Sequence, residues 1–121
     1  MPTHILFVDD DPDIQRVEHE RLQRFGYTVT TRSTAQGALD AYTQAPDAYD
    51  AIVADYRMPG INGLELARKL RQNGCGRPIV LMSGEQNGLS EYRGHVGFDA
   101  FLPKPIGGKE LDTVLRQLLH G

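Results

Sequence analysis

Polar residues follow four apolar stretches of the chain. Asp9 and Asp10 come after Ile5-Leu6-Phe7-Val8, and Asp55 after Ala51-Ile52-Val53-Ala54. Ser83 comes after Ile79-Val80-Leu81-Met82, and Lys104 after Phe101-Leu102-Pro103. At about 5 Å and an effective dielectric near 20, each carboxylate pair would repel by roughly 3 kcal/mol. Three such pairs would cost on the order of 10 kcal/mol, comparable to the whole stability of a small domain. Lys104 can offset part of that cost, and a divalent cation the rest. Oxygen ligands without His or Cys suit Mg²⁺, which keeps waters and takes one or two carboxylates plus a substrate phosphate. Asp55 is then a nucleophile facing an electrophilic phosphoryl group, whose oxygens Lys104 and the Ser83 hydroxyl can hold. These are the parts for phosphoryl transfer to a carboxylate. The competing reading makes Asp55 a turn cap, because Met58-Pro59-Gly60 and Asn62-Gly63 follow it.

Bringing these residues together requires a sheet with all its strands pointing one way. Short apolar strands alternate with amphipathic helices along the chain. His4–Val8 reads as the first strand, and Asp11 caps a helix with Pro12 at its first position. That helix is expected to pack through Ile14, Val17, Leu22 and Phe25 and to stop at Gly26. A threonine-rich strand over 27–31 belongs near a sheet edge. Ser33 or Thr34 caps a second helix, which packs through Ala35, Ala38, Leu39 and Tyr42 and ends before Pro46. The Asp55 strand follows, unbroken by polar residues as a strand buried on both faces should be. A third helix turns Leu66, Ala67 and Leu70 inward. Strands over 78–82 and 99–102 come next, and a last helix carries Leu111, Val114, Leu115, Leu118 and Leu119. Such alternation implies an α/β fold, a five-stranded parallel sheet with helices on both faces. Right-handed crossovers put every strand's carboxyl end on one rim, where ligands bind in open parallel sheets.

The 121 residues fit one domain over 1–121, and the formal charge of −3 argues against a direct grip on nucleic acid or an anionic membrane. No signal peptide or membrane-length apolar run is visible, and Cys75 is alone. A cytoplasmic protein is expected. His4, His19, His95 and His120 show no metal spacing, and no Gly-rich phosphate loop is present.

The chain resembles the receiver domain of two-component response regulators from Ile5 to the final helix. The resemblance rests on Asp9-Asp10, on Asp55 within VADYRMPGINGLEL, on Ser83-Gly84 and on Phe101-Leu102-Pro103-Lys104-Pro105, in that order. It implies a flavodoxin-like strand order 2-1-3-4-5, for which a receiver is a standing example. It implies Asp55 as phosphoacceptor, with a histidine kinase or histidine phosphotransfer protein as donor and a downstream output protein or domain as target. Mg²⁺ would be held by Asp10, Asp55 and the backbone carbonyl of Arg57, with Asp9 acting through water. Lys104 would contact the phosphoryl group, and the Lys104-Pro105 bond would be cis. Ser83 and Phe101 match the family's switch pair, which would alter the surface of the fourth helix, fifth strand and last helix. Taken without the motif, Phe101 reads as a core aromatic. On this reading the chain is a signalling phosphoacceptor, and its only catalysis is its own phosphorylation and dephosphorylation.

Two departures and two alternatives accompany the resemblance. The chain is about one residue short between Ser83 and Lys104 and carries Gly88, Gly94 and Gly97 there. Interior glycines cost a helix about 1 kcal/mol each, so a short or irregular fourth helix and a monomer are expected. Arg57 and Glu85 could form a salt bridge across the mouth of the site, or remain two solvated charges. Phe7-Val8-Asp9-Asp10-Asp11 also fits the start of haloacid-dehalogenase-like phosphohydrolases, with Asp9 as nucleophile and Asp11 as general acid. In that scheme Asp55 has no task. The other alternative is a degenerate receiver serving as a binding module, which would have no reason to endure the carboxylate repulsion.

Overall fold

The computed structural model of the chain describes residues 2–84, 97–107 and 109–120. In order these form β1 (His4–Val8), α1 (Pro12–Arg24), β2 (Thr28–Arg32), α2 (Ala35–Gln44), β3 (Ala51–Asp55), α3 (Gly63–Gln72), β4 (Ile79–Ser83), β5 (Ala100–Pro103) and α4 (Glu110–His120). The five strands are all parallel and lie in the order β2-β1-β3-β4-β5, as the family resemblance implied. The fourth helix expected over 86–95 lies outside the described residues. Gly97, one of the three glycines counted against it, sits just before β5 with φ of 95°.

Side-chain caps start three helices, at Asp11 and Thr34 as expected and also at Asn62. Asp11 accepts from the Asp13 and Ile14 amides, Thr34 from Gly37, and Asn62 from Glu65. These caps satisfy amides that have no partner within the helix. Gly26, with φ of 97°, ends α1 and turns the chain into edge strand β2.

Alternation along the strands divides the core into two layers. Leu6, Val8, Ile52, Ala54, Ile79 and Leu81 face α2 and α3, meeting Ala38, Tyr42, Leu66 and Leu70. Ile5, Phe7, Val53, Val80, Met82 and Leu102 face the opposite way, toward Leu22 of α1 and Leu111 and Leu115 of α4. One expectation for α1 needs correction. Val17 is exposed (43%) and Glu18 is buried, so the inward stripe runs Ile14–Glu18–Leu22. The Asp11–Pro12 start sets the phase of the helix, and that phase carries a charged residue inward.

Register determines what meets at the carboxyl rim. Val8 pairs with Ala54, so Asp9 comes level with Asp55 on the neighbouring strand. Ser83 pairs with Pro103, so Lys104 emerges one residue beyond Ser83. α3 begins directly against this rim. The Gly63 amide donates to the Tyr56 carbonyl at 2.8 Å, and a Cβ on Gly63 would lie 2.5 Å from the Asp55 carbonyl oxygen. Gly63→Ala should therefore lower stability by about 1–3 kcal/mol in urea unfolding, the usual cost of overpacking. It should do so although alanine is the better helix former by about 1 kcal/mol. Equal or greater stability would show that α3 can move off β3 without penalty.

Candidate functional site

The rim holds an acidic cluster. Ligand oxygens of Asp9, Asp10 and Asp55 lie within 4.8 Å of one another. Asp9 has no exposed surface and Asp55 is 7% exposed, whereas Asp10 faces solvent. The Lys104 ammonium sits 3.1 Å from Asp9 Oδ2 and 3.3 Å from Asp55 Oδ1. The Asp11 amide donates to Asp9 Oδ1 at 2.9 Å, and the Gln15 side-chain amide donates to the Asp9 backbone carbonyl. Asp9 is thus held from three directions.

The Lys104 backbone is tied to β4. Its amide donates to the Ser83 carbonyl at 2.8 Å, and the Lys104-Pro105 bond is cis. Ser83 itself is buried at the end of β4. Leu81 pairs with Phe101 and Ser83 with Pro103, so Ser83 and Phe101 project from the same sheet face. Phe101 is half-buried and packs against the layer facing α2 and α3. Arg57 lines an open cleft of about 500 Å³ beside Asp10, together with Tyr56, Met58 and Asn62. Glu85 lies outside the described residues, so the bridge expected between Arg57 and Glu85 does too.

Burial raises the pKa of the Asp55 carboxyl, and the nearby Asp9 charge pushes it further, against the pull of Lys104. For Lys104, burial disfavours the ammonium, but Asp9 and Asp55 outweigh it and hold its pKa above the usual lysine value. One ammonium for three carboxylates leaves the cluster anionic. The donor set is all oxygen, with no nitrogen or sulfur ligand in it. Such a set fits a hard divalent cation such as Mg²⁺. Asp11, the general acid of the phosphohydrolase alternative, has its Oδ1 engaged in capping α1.

Sequence reasoning found the chemical groups of the site but missed three residues around it. Gln15 gives no signal beyond a polar residue in the first turns of α1. Gly63 is visible only as a turn glycine. Glu18, on the inward face of α1 behind Lys104, is hidden because Val17 fits the apolar pattern.

The raised pKa of Asp55 has a definite consequence for stability. An acid whose folded pKa lies above its unfolded value stabilises the fold only while protonated, and that contribution is lost as pH rises through the folded pKa. Ionisation of Asp55 therefore works against the fold. Without divalent cation, Asp55→Asn should raise the melting temperature at pH 7. The gain should shrink as pH falls through the raised Asp55 pKa. A melting temperature at or below wild type at pH 7 would show that Lys104 fully compensates the crowding.

Comparison with known proteins points the same way. The model of the response regulator receiver domain matches residues 5–116. Response regulator MprA of Mycolicibacterium vanbaalenii is 37% identical over 121 residues, which are 99% of this chain and 52% of that protein. MprA of Mycobacterium tuberculosis is 36% identical over the same span and share. The chain therefore spans about half the length of these curated relatives. Among solved structures, chemotaxis protein CheY4 of Vibrio cholerae superposes with a TM-score of 0.89 at 28% identity, covering 98% of this chain and 100% of that one. Response regulator TrrA of Thermotoga maritima, in complex with Mg²⁺-BeF, gives 0.84 at 31% identity, covering 97% and 99%. The fold, the acidic rim with its lysine and the match over 5–116 together make the chain a member of the response regulator receiver domain family, the receiver domains of two-component systems.

Proposed function

We propose that Asp55 is the phosphoacceptor of this receiver, taking a phosphoryl group from a histidine kinase or histidine phosphotransfer protein. The observation that carries this reading is the Lys104 ammonium held between Asp9 and Asp55, 3.3 Å from the Asp55 carboxylate. In the transfer an Asp55 oxygen attacks phosphorus and the P–N bond of the phosphohistidine breaks. The imidazole leaves with the electron pair and is protonated. Lys104 and the Ser83 hydroxyl hold phosphoryl oxygens as charge moves onto them. Later attack by water breaks the P–O bond, restoring the Asp55 carboxylate and releasing phosphate.

Asp10, Asp55 and the backbone carbonyl of Arg57 would hold Mg²⁺, with Asp9 acting through water. The bound ion would neutralise charge on the phosphoryl oxygens and on the carboxylates that crowd them. The Mg²⁺-BeF complex of TrrA, a relative of the same fold, supports this assignment. Among the described residues no helix is long and apolar enough to cross a membrane, in keeping with action in the cytoplasm.

Ser83 and Phe101 form the switch in this reading. The phosphoryl group on Asp55 draws the Ser83 hydroxyl toward it, and Phe101 turns into the space released. Two side chains on one sheet face, one at the site and one half-buried near the surface, suit a two-state element biased by one charge-assisted bond. The altered surface around β5 and the last helix would be what a downstream output protein or domain reads.

Intact mass after incubation with Mg²⁺ and acetyl phosphate should show one phosphoryl adduct on wild type. The adduct should persist in Asp9→Asn, disappear in Asp55→Asn, and fail to form when the metal is chelated. An adduct that survives Asp55→Asn would remove the assignment. Ser83→Ala should still take up the phosphoryl group but lose the phosphorylation-dependent shift of the Phe101 ring signals in NMR. A wild-type-sized shift in that variant would separate Phe101 from Ser83.

A further inference from the structure

Behind Lys104, on the side of the sheet that faces α1, lies a cavity of about 370 Å³. Ile14, Met82 and Ile106 form apolar walls, and Glu18, Arg21 and Lys104 bring charge to it. The Glu18 side chain is 10% exposed and pairs with Arg21 at 3.0 Å. Burial raises the Glu18 pKa, and the field at this carboxyl includes both Asp9 and Lys104. A buried ion pair adds little stability as a rule, and well-packed apolar side chains in its place are often neutral or better. Glu18 occupies the one charged position in the inward stripe Ile14–Glu18–Leu22. Departures from local packing logic of this kind concentrate at functional sites.

The contacts indicate what the pair does. Arg21 Nη1 also reaches the Ile106 carbonyl, at a long 3.5 Å, two residues past Lys104. Upstream, the Lys104 amide is tied to the Ser83 carbonyl. Downstream, Gly107 is tied by its backbone to Glu110 at the start of α4, not to α1. Among the described residues, Arg21, held by Glu18, and the Ile106 side chain both connect α1 to the exit of β5.

We propose that Glu18 and Arg21 are positioning residues for Lys104: the pair braces loop 104–106 against α1 and keeps the Lys104 ammonium on the Asp55 carboxylate. The proposal rests on the phosphoacceptor reading for its effect on rate, but the brace itself does not. Its absence would leave Lys104 present but loosely aimed.

The test compares Glu18→Leu, Glu18→Gln and Arg21→Met with wild type. It reads thermal stability, the rate of adduct formation at saturating Mg²⁺ and acetyl phosphate, and the motional order of the Lys104 ε-methylene by NMR. The chain has only three lysines, Lys69, Lys104 and Lys109, so that signal can be assigned. Glu18→Leu should melt no lower than wild type, form adduct about tenfold more slowly and show reduced Lys104 order, as outer supports of active-site groups do. Glu18→Gln, which can still accept from Arg21, should recover part of both losses. A folded Glu18→Leu with wild-type rate and wild-type Lys104 order would overturn the proposal. Should Glu18→Leu fail to fold, Arg21→Met at its half-buried position carries the same two readouts and decides the matter in the same way. Failure of wild type to form any adduct would defeat the phosphoacceptor reading alone, and Lys104 order would still decide the brace.

Discussion

The structure depends on one electrostatic arrangement: a single ammonium placed between two carboxylates that the sheet forces together. Parallel pairing of β1 with β3 brings Asp9 level with Asp55, at the spacing of adjacent strands. Neither side chain can retreat, since Asp9 is fully buried and Asp55 nearly so. Lys104 must then come from β5 across β4, and the Ser83 carbonyl holds its backbone there. The two core layers, the tight start of α3 at Gly63 and the cap at Asp11 all keep that geometry from relaxing. The fold stores unfavourable charge in a rigid frame; in the proposed function, an incoming cation or phosphoryl group would find its partners already in place.

Much of this was legible in the sequence, because strand and rim residues obey local rules. An apolar run of four residues ending in Asp reads as a buried strand reaching a rim, and β1 and β3 were found on that ground. Helix caps at Asp11 and Thr34 were equally readable, whereas Asn62 read only as a turn residue. Strand order was not readable from pattern, since any permutation of parallel strands gives the same alternation; it came from resemblance. The failure at Val17 and Glu18 has a different origin. Hydrophobicity counts apolar residues, whereas the phase of α1 is set by where Asp11 and Pro12 start it, and the two disagree at this turn. Long-range hydrogen bonds such as those from Arg71 left no trace in composition.

A division of labour within the sheet follows from the burial pattern. β1, β3 and β4 are wholly or almost wholly buried and supply Asp9, Asp55 and Ser83. The edge strands are half exposed, and β2 contributes no side chain to the rim cluster. β5 is the exception, an edge strand that carries both Phe101 and the approach to Lys104. The carboxylates that crowd charge therefore sit at the ends of the least deformable strands, and Phe101, read as responding to it, sits on a strand at the sheet edge.

At the opposite end of β5, the Arg71 guanidinium donates to the carbonyls of Gly97, Cys75 and Arg77 and to the Asp99 carboxylate, with distances of 2.7–2.9 Å. Asp99 in turn accepts from the Ile79 amide at the start of β4. β5 thus enters the sheet through a riveted end. Sliding it along β4 would break the Arg71 bonds to Gly97 and Asp99 and the Ile79–Asp99 bond together, while the bonds to Cys75 and Arg77 keep Arg71 tied to the turn before β4. Movement of Lys104 and Phe101, as the proposed switch requires, would turn β5 about this fixed end, with Arg71 as the pin.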